Sequence, residues 1–87
     1  MIVCSAIKFE YNDFPFIICG KRHGDCFCNV SDFMSVDKWN QVNKNKVIQG
    51  FMTDDNRFLN RQQASVHAYQ NGQIKQEQDT LLSEDLW

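Results

Sequence analysis

At 87 residues the chain is read as a single domain, 1–87, and a domain this small buries only about 60 to 65% of the surface its unfolded form exposes, for a stability of about 5 kcal/mol. Nine Lys and Arg against eleven Asp and Glu give a net charge of −2, which excludes a broad basic surface for bulk nucleic acid. The longest apolar run, Phe14 to Cys19 with Pro15 inside it, is far short of the roughly 20 residues that cross a bilayer, and Met1 to Phe9 lacks the pattern of a signal peptide.

Met1 to Phe9 predicts a strand, with Val3, Ser5, Ile7 and Phe9 on one face and Cys4, Ala6 and Lys8 on the other. Tyr11, Asn12 and Asp13 supply turn chemistry, and Phe14 to Cys19, ending at Gly20, predicts a second strand in an antiparallel hairpin. Lys21 to Gly24 lead to Asp25, read as an N-cap, and to a helical spacing of Phe27, Val30, Phe33 and Met34. The polar stretch Ser35 to Lys46 reads as a surface loop pinned by Trp39 or Val42.

Val47 to Met52 predicts a third strand in which Gly50 suits a bulge or a close approach. Thr53 to Asn56 turn into a short strand at Arg57 to Leu59. Asn60 followed by Gln63 is a capping-box variant, opening a helix that ends at Asn71 before Gly72, with a narrow small-residue face at Ala64 and Ala68. Gln73 to Thr80 is polar, while Leu81, Leu82, Leu86 and Trp87 make an apolar tail expected to dock on its own sheet. The class that results is α+β: a small antiparallel sheet of three to four strands packed with two helices. Association of copies is expected, because a small core gains from burying an apolar patch between subunits.

Two clusters carry candidate chemistry. Lys21, Arg22 and His23 lie between two glycines ahead of a helix start, a setting that suits phosphate, with a solvated turn as the plain alternative. Arg57 and Arg61 bracket Phe58, joining planar anion forks to a stacking ring. The alternative is that Phe58 is core and both arginines pair with Asp54, Asp55 or the acidic tail. His23, Cys26 and Cys28 lack the spacing of a zinc site. A Cys26 nucleophile activated by His23 or His67, with Asp25 orienting the base, competes with the more ordinary reading of buried, reduced thiols. The expectation is a binding protein, not an enzyme, with no cofactor and no metal.

The blocks Ser5-Ala6-Ile7-Lys8, Gly20-Lys21-Arg22-His23 with Asp25-Cys26, Gln49-Gly50-Phe51, Arg57-Phe58-Leu59-Asn60-Arg61 with Ala64 and Ala68, Gly72-Gln73-Ile74 and the closing Ser83-Glu84-Asp85-Leu86-Trp87 resemble a group of short proteins of tailed bacteriophages. More loosely, the chain is similar to the Thoeris anti-defence sponges, which sequester cyclic nucleotide signals of bacterial immunity. That resemblance implies a homo-oligomer in the cytoplasm of the infected host, with ligand pockets between subunits. It also implies that Lys21, Arg22 and His23 meet phosphates, Phe58 stacks on a base, and Arg57 and Arg61 clamp the anion of a nucleotide-derived signal that is held without cleavage. The other function considered is an inhibitor that docks on a host protein through Trp39, the polar loop and the Leu81 to Trp87 tail.

Overall fold

The alternating N-terminal run forms β1, Ile2–Tyr11, and Asn12 and Asp13 then take left-handed backbone angles, φ 51° and 65°. A two-residue hairpin turn with positive φ at both positions needs residues that tolerate this region, and Asn and Asp do so better than other side-chain-bearing residues. β2, Phe14–Gly20, returns antiparallel with Phe14 opposite Tyr11 and Ile18 opposite Ile7. β3, Ile48–Thr53, pairs with the other side of β1, and β4, Phe58–Asn60, pairs with β3. The sheet order is β2-β1-β3-β4, all antiparallel. The structure, a computed structural model, describes residues 1–87.

Three helices cover one face of this sheet: α1, His23–Asn29, α2, Val36–Gln41, and α3, Arg61–Gln70. Ile7, Phe9 and Ile18 meet Cys26, Val30, Met34 and Val42 in one buried cluster, and Ile2 and Phe51 meet Ala64, Ala68 and Leu81 in a second. The α+β class and the four strands agree with the sequence reading. On α3, Ala64, Ser65 and Ala68 are the buried side chains, so the helix lies close to the strands. Asn60 accepts the Gln63 N–H at 2.8 Å and its own N–H donates to the Gln63 side chain at 3.0 Å, closing the expected capping box.

Three local expectations are corrected. The N-cap of α1 is Arg22, whose N–H donates to the Asp25 carboxylate at 3.1 Å, so Asp25 caps from inside the first turn. The stretch expected as a loop contains α2, started by Ser35 accepting the Lys38 N–H at 3.3 Å. Trp39 pins it, edge-on to Phe9 with ring centroids 5.1 Å apart. β1 carries its register shift between Ile2 and Cys4, which turns Ile2 inward and leaves Val3 51% exposed.

Gly50 makes the close approach, not the bulge. A Cβ there would fall on the Leu59 carbonyl oxygen and lie 2.7 Å from the Phe58 ring. Gly50→Ala is therefore expected to cost about 1–3 kcal/mol by overpacking, read from urea unfolding midpoints. An unchanged midpoint would contradict this account of the β3–β4 contact.

Directly paired residues share a face of the sheet. Ser5, Ile7, Phe51 and Leu59 thus look toward the helices, and Cys4, Ala6, Lys8, Ile17, Cys19, Ile48, Met52 and Phe58 look the other way.

Candidate anion-binding cleft

His23 is the first residue of α1 and is buried. Its ring Nε2 lies 2.8 Å from the Gly50 carbonyl oxygen on β3, its Nδ1 lies 2.5 Å from Ser83 Oγ, and its edge meets Phe51 at 5.1 Å. The C-terminal tail delivers Ser83: Leu81 is fully buried in the second cluster, the Leu81 N–H donates to the Arg61 carbonyl at 3.1 Å, and Trp87 sits 6.4 Å from Phe51. Ser83 Oγ also accepts the His23 backbone N–H at 3.2 Å and contacts Ser5 Oγ at 2.7 Å. Ser5 Oγ in turn reaches the Lys21 carbonyl at 3.0 Å.

The protons of this chain can be assigned. A carbonyl only accepts, so Nε2 carries a hydrogen. Burial, and then the nearby Arg61 guanidinium, hold the His23 pKa below its ordinary value against the upward pull of the Gly50 carbonyl, so the ring is neutral at neutral pH. Its Nδ1 is then a lone pair that accepts the Ser83 hydroxyl hydrogen, and Ser83 Oγ accepts the His23 backbone N–H, while the single Ser5 hydroxyl hydrogen goes to the Lys21 carbonyl. Ser83 is buried and is bonded to both the backbone N–H and the ring of His23, which makes this Ser–His pair a latch between the tail and the start of α1.

Beside the latch lies an open cleft of about 250 Å³ lined by Arg22, His23, Gly24, Arg61, Leu82, Ser83 and Glu84. Arg61 donates from Nη2 to the Gln49 side-chain oxygen at 2.9 Å, and its Nε is buried with no hydrogen-bond partner. Arg22 donates to the Trp87 main-chain oxygen. The ion pairs of the molecule, Met1 with Asp54 and Arg57 with Asp55, involve neither cleft arginine. Two guanidinium groups from distant parts of the chain thus line one recess: Arg22 is engaged by the main-chain oxygen of the last residue, Trp87, whereas Arg61 has no acidic partner, and Glu84 on the rim limits the excess of positive charge.

Of the residues singled out from sequence, Arg22, His23 and Arg61 line the cleft, and Lys21, Arg57 and Phe58 do not. Arg57 is exposed and bonds the Asp55 carboxylate at 3.0 Å, so the ion-pair alternative describes Arg57 but not Arg61. Phe58 pairs with Met52 on the far side of the sheet, with the Lys8 ammonium 5.9 Å from its ring, and cannot stack on a guest beside Arg22. The backbone donors expected at the start of α1 are in part used internally, by Asp25 and Ser83. Ser83 and Glu84 escaped the sequence reading because their contacts lie some sixty residues away along the chain; a lone serine in an apolar tail is the one hint. Burial pushes the Cys26 thiol up to about 12, with the Cys19, Cys4 and Asp25 charges adding to it, so Cys26 is no nucleophile at neutral pH. No group of three or more His, Cys, Asp or Glu side chains converges to hold a metal ion.

Fold and cleft define a small α+β protein with one four-stranded sheet, helices on one side of it, and a basic recess where α1, α3 and the tail meet. No helix is long and apolar enough to cross a membrane. The chain belongs to the phage T4 y16D protein family, whose family model matches residues 1–87, which sets it among small phage proteins, as the sequence blocks imply. No curated protein and no solved structure matches the chain.

Ser83→Ala leaves two buried groups of His23 without a partner and is expected to lower stability by about 1–3 kcal/mol, read by chemical denaturation. An unchanged midpoint would sink the latch. A second expectation follows from the lowered His23 pKa: stability is full above the ordinary imidazole value of 6.5. It declines as pH falls from there toward the lower folded-state value, because in that window the unfolded chain binds a proton that the native ring refuses. Thermal melts through that window should show the loss, and His23→Gln should flatten it; a variant with the same pH slope would assign the effect elsewhere.

Proposed function

We propose that this phage protein captures a phosphate-bearing small molecule, of the class of nucleotide-derived immune signals, in the Arg22–Arg61 cleft and holds it without cleaving it. The observation that carries the reading is the convergence of Arg22 and Arg61 on one recess, with Arg61 lacking an acidic partner and its Nε buried without a hydrogen bond, since planar guanidinium forks suit phosphate oxygens. The burial of Ser83 and the raised pKa of Cys26 support retention over cleavage. An anti-defence role in the cytoplasm of the infected host rests on the phage family and on the sequence resemblance.

With Phe58 on the other side of the sheet, the phosphate carries recognition and the base is left exposed. The reading of a host-protein inhibitor is less favoured, because Trp39 packs on Phe9 and Phe27 and Leu81 of the tail is buried in the chain's own core.

Thermal shift against cyclic nucleotides, ADP-ribose derivatives and inorganic phosphate tests the proposal. A ligand at 100 times its Kd adds about 2.7 kcal/mol, and Arg61→Ala or Arg22→Ala is expected to weaken it about tenfold or more, given about 1.5–3 kcal/mol for a charge-assisted bond. The ligand should be recovered intact after incubation. No shift with any phosphate compound, or shifts that survive both substitutions, would overturn the reading.

A further inference from the structure

The three helices cover one side of the sheet and leave its other face bare of helices. On that face three sulfur-bearing side chains stand on three adjacent strands. Met52 of β3 is directly opposite Cys4 of β1, and Cys19 of β2 is directly opposite Ala6, two residues along β1 from Cys4. Direct partners bring their Cβ atoms to about 4.5–5.5 Å, and diagonal neighbours lie next nearest, so Cys4 sits between Met52 on one side and Cys19 on the other. Burial, and then the charge and hydrogen bonding of the neighbouring Cys19 thiol, push the Cys4 thiol up to about 11, which sets these two sulfurs side by side.

None of the three side chains belongs to either core cluster; Cys26 is the cysteine that packs there. Cys4, Cys19 and Cys28 are free thiols, with Cys19 exposed and Cys4 half-buried, so the group can be reached from solvent. Its donor chemistry is narrow. Thiolate and thioether sulfurs are soft ligands, which hard cations such as magnesium and calcium refuse. Zinc takes four donors from Cys, His, Asp and Glu, and no three such side chains converge in this molecule. Copper(I) is soft and is satisfied by two or three sulfurs.

We propose that Cys4, Cys19 and Met52 bind one copper(I) ion, with the two thiolates as principal ligands and the thioether as the third. Binding forms two copper–thiolate bonds and releases the two thiol protons to solvent, with no change of oxidation state. Paired strands hold such a constellation more firmly than loops do. The spacing that argues against zinc concerns His23, Cys26 and Cys28, whereas the β1–β2 hairpin assembles a different pair of thiols that no short motif announces. The Arg22–Arg61 cleft lies on the helix side, so the two sites are separate.

Anaerobic titration of the reduced full chain with copper(I) in competition with bicinchoninate tests the proposal. One equivalent of copper should leave the chelator. Losing a residue that merely supports a ligand costs about 10–100-fold in metal affinity, so Cys4→Ser or Cys19→Ser should weaken uptake by about a hundredfold or more. Met52→Leu, a volume-conserving change, should weaken it less, and Cys28→Ser should leave it unchanged. Two readouts need no variant to fold: in the unsubstituted protein copper(I) should shield Cys19 but not the exposed Cys28 from iodoacetamide, and X-ray absorption should find sulfur neighbours alone. Failure to draw copper from the chelator overturns the proposal. So does uptake that survives loss of both Cys4 and Cys19, zinc(II) held as tightly as copper(I), or a Cys4–Cys19 disulfide formed with no copper taken up. Phosphate shifts at the cleft are read separately, so the failure of one proposal is distinguishable from that of the other.

Discussion

One buried imidazole joins three parts of the chain that are far apart in sequence. His23 begins α1, donates to the Gly50 carbonyl on β3, and accepts from Ser83 on the tail, and each bond has one direction because the carbonyl can only accept. The tail adds Leu81 and Trp87 to the second core cluster, and burying a Leu fully contributes about 1.5–3 kcal/mol. Apolar burial holds the tail down; the hydrogen bonds to His23 fix where it sits. The same geometry brings Arg22, next to His23, and Arg61, whose carbonyl receives the Leu81 N–H, to one recess. Core and cleft therefore depend on the same contact.

Much of the fold was legible because its determinants are local. The alternation of β1, the Asn12-Asp13 turn and the Asn60/Gln63 capping box each act within a few residues, and each gives the element it predicts. α2 was hidden because Val36 and Trp39 are its only apolar positions and its stability comes from Trp39 meeting Phe9 and Phe27, contacts that periodicity does not report. The inward turn of Ile2 was hidden for a related reason: a bulge changes which residues share a face, and alternation alone cannot locate it.

The site was legible by charge and illegible by side. Arg57, Phe58 and Arg61 are near neighbours in sequence, yet strand pairing sends Phe58 through to the bare face, Arg57 turns to Asp55, and the start of α3 turns Arg61 toward α1. Which residues meet was decided by the pairing of β3 with β4, a long-range fact. Ser83 was the larger omission, since a serine between Leu82 and Glu84 shows no pattern until its distant partner is known. The result is a recess whose electrostatics suit an anion and whose one hydroxyl is committed to holding the protein together.

The protonation state of His23 is the most direct test. Long-range proton–nitrogen correlation NMR on the full chain at neutral pH reads both ring nitrogens. A neutral ring with hydrogen on Nε2 and a bare Nδ1 is predicted; hydrogen on Nδ1, or a ring titrating at the ordinary value of a solvent-exposed imidazole, would contradict the latch and the cleft built on it.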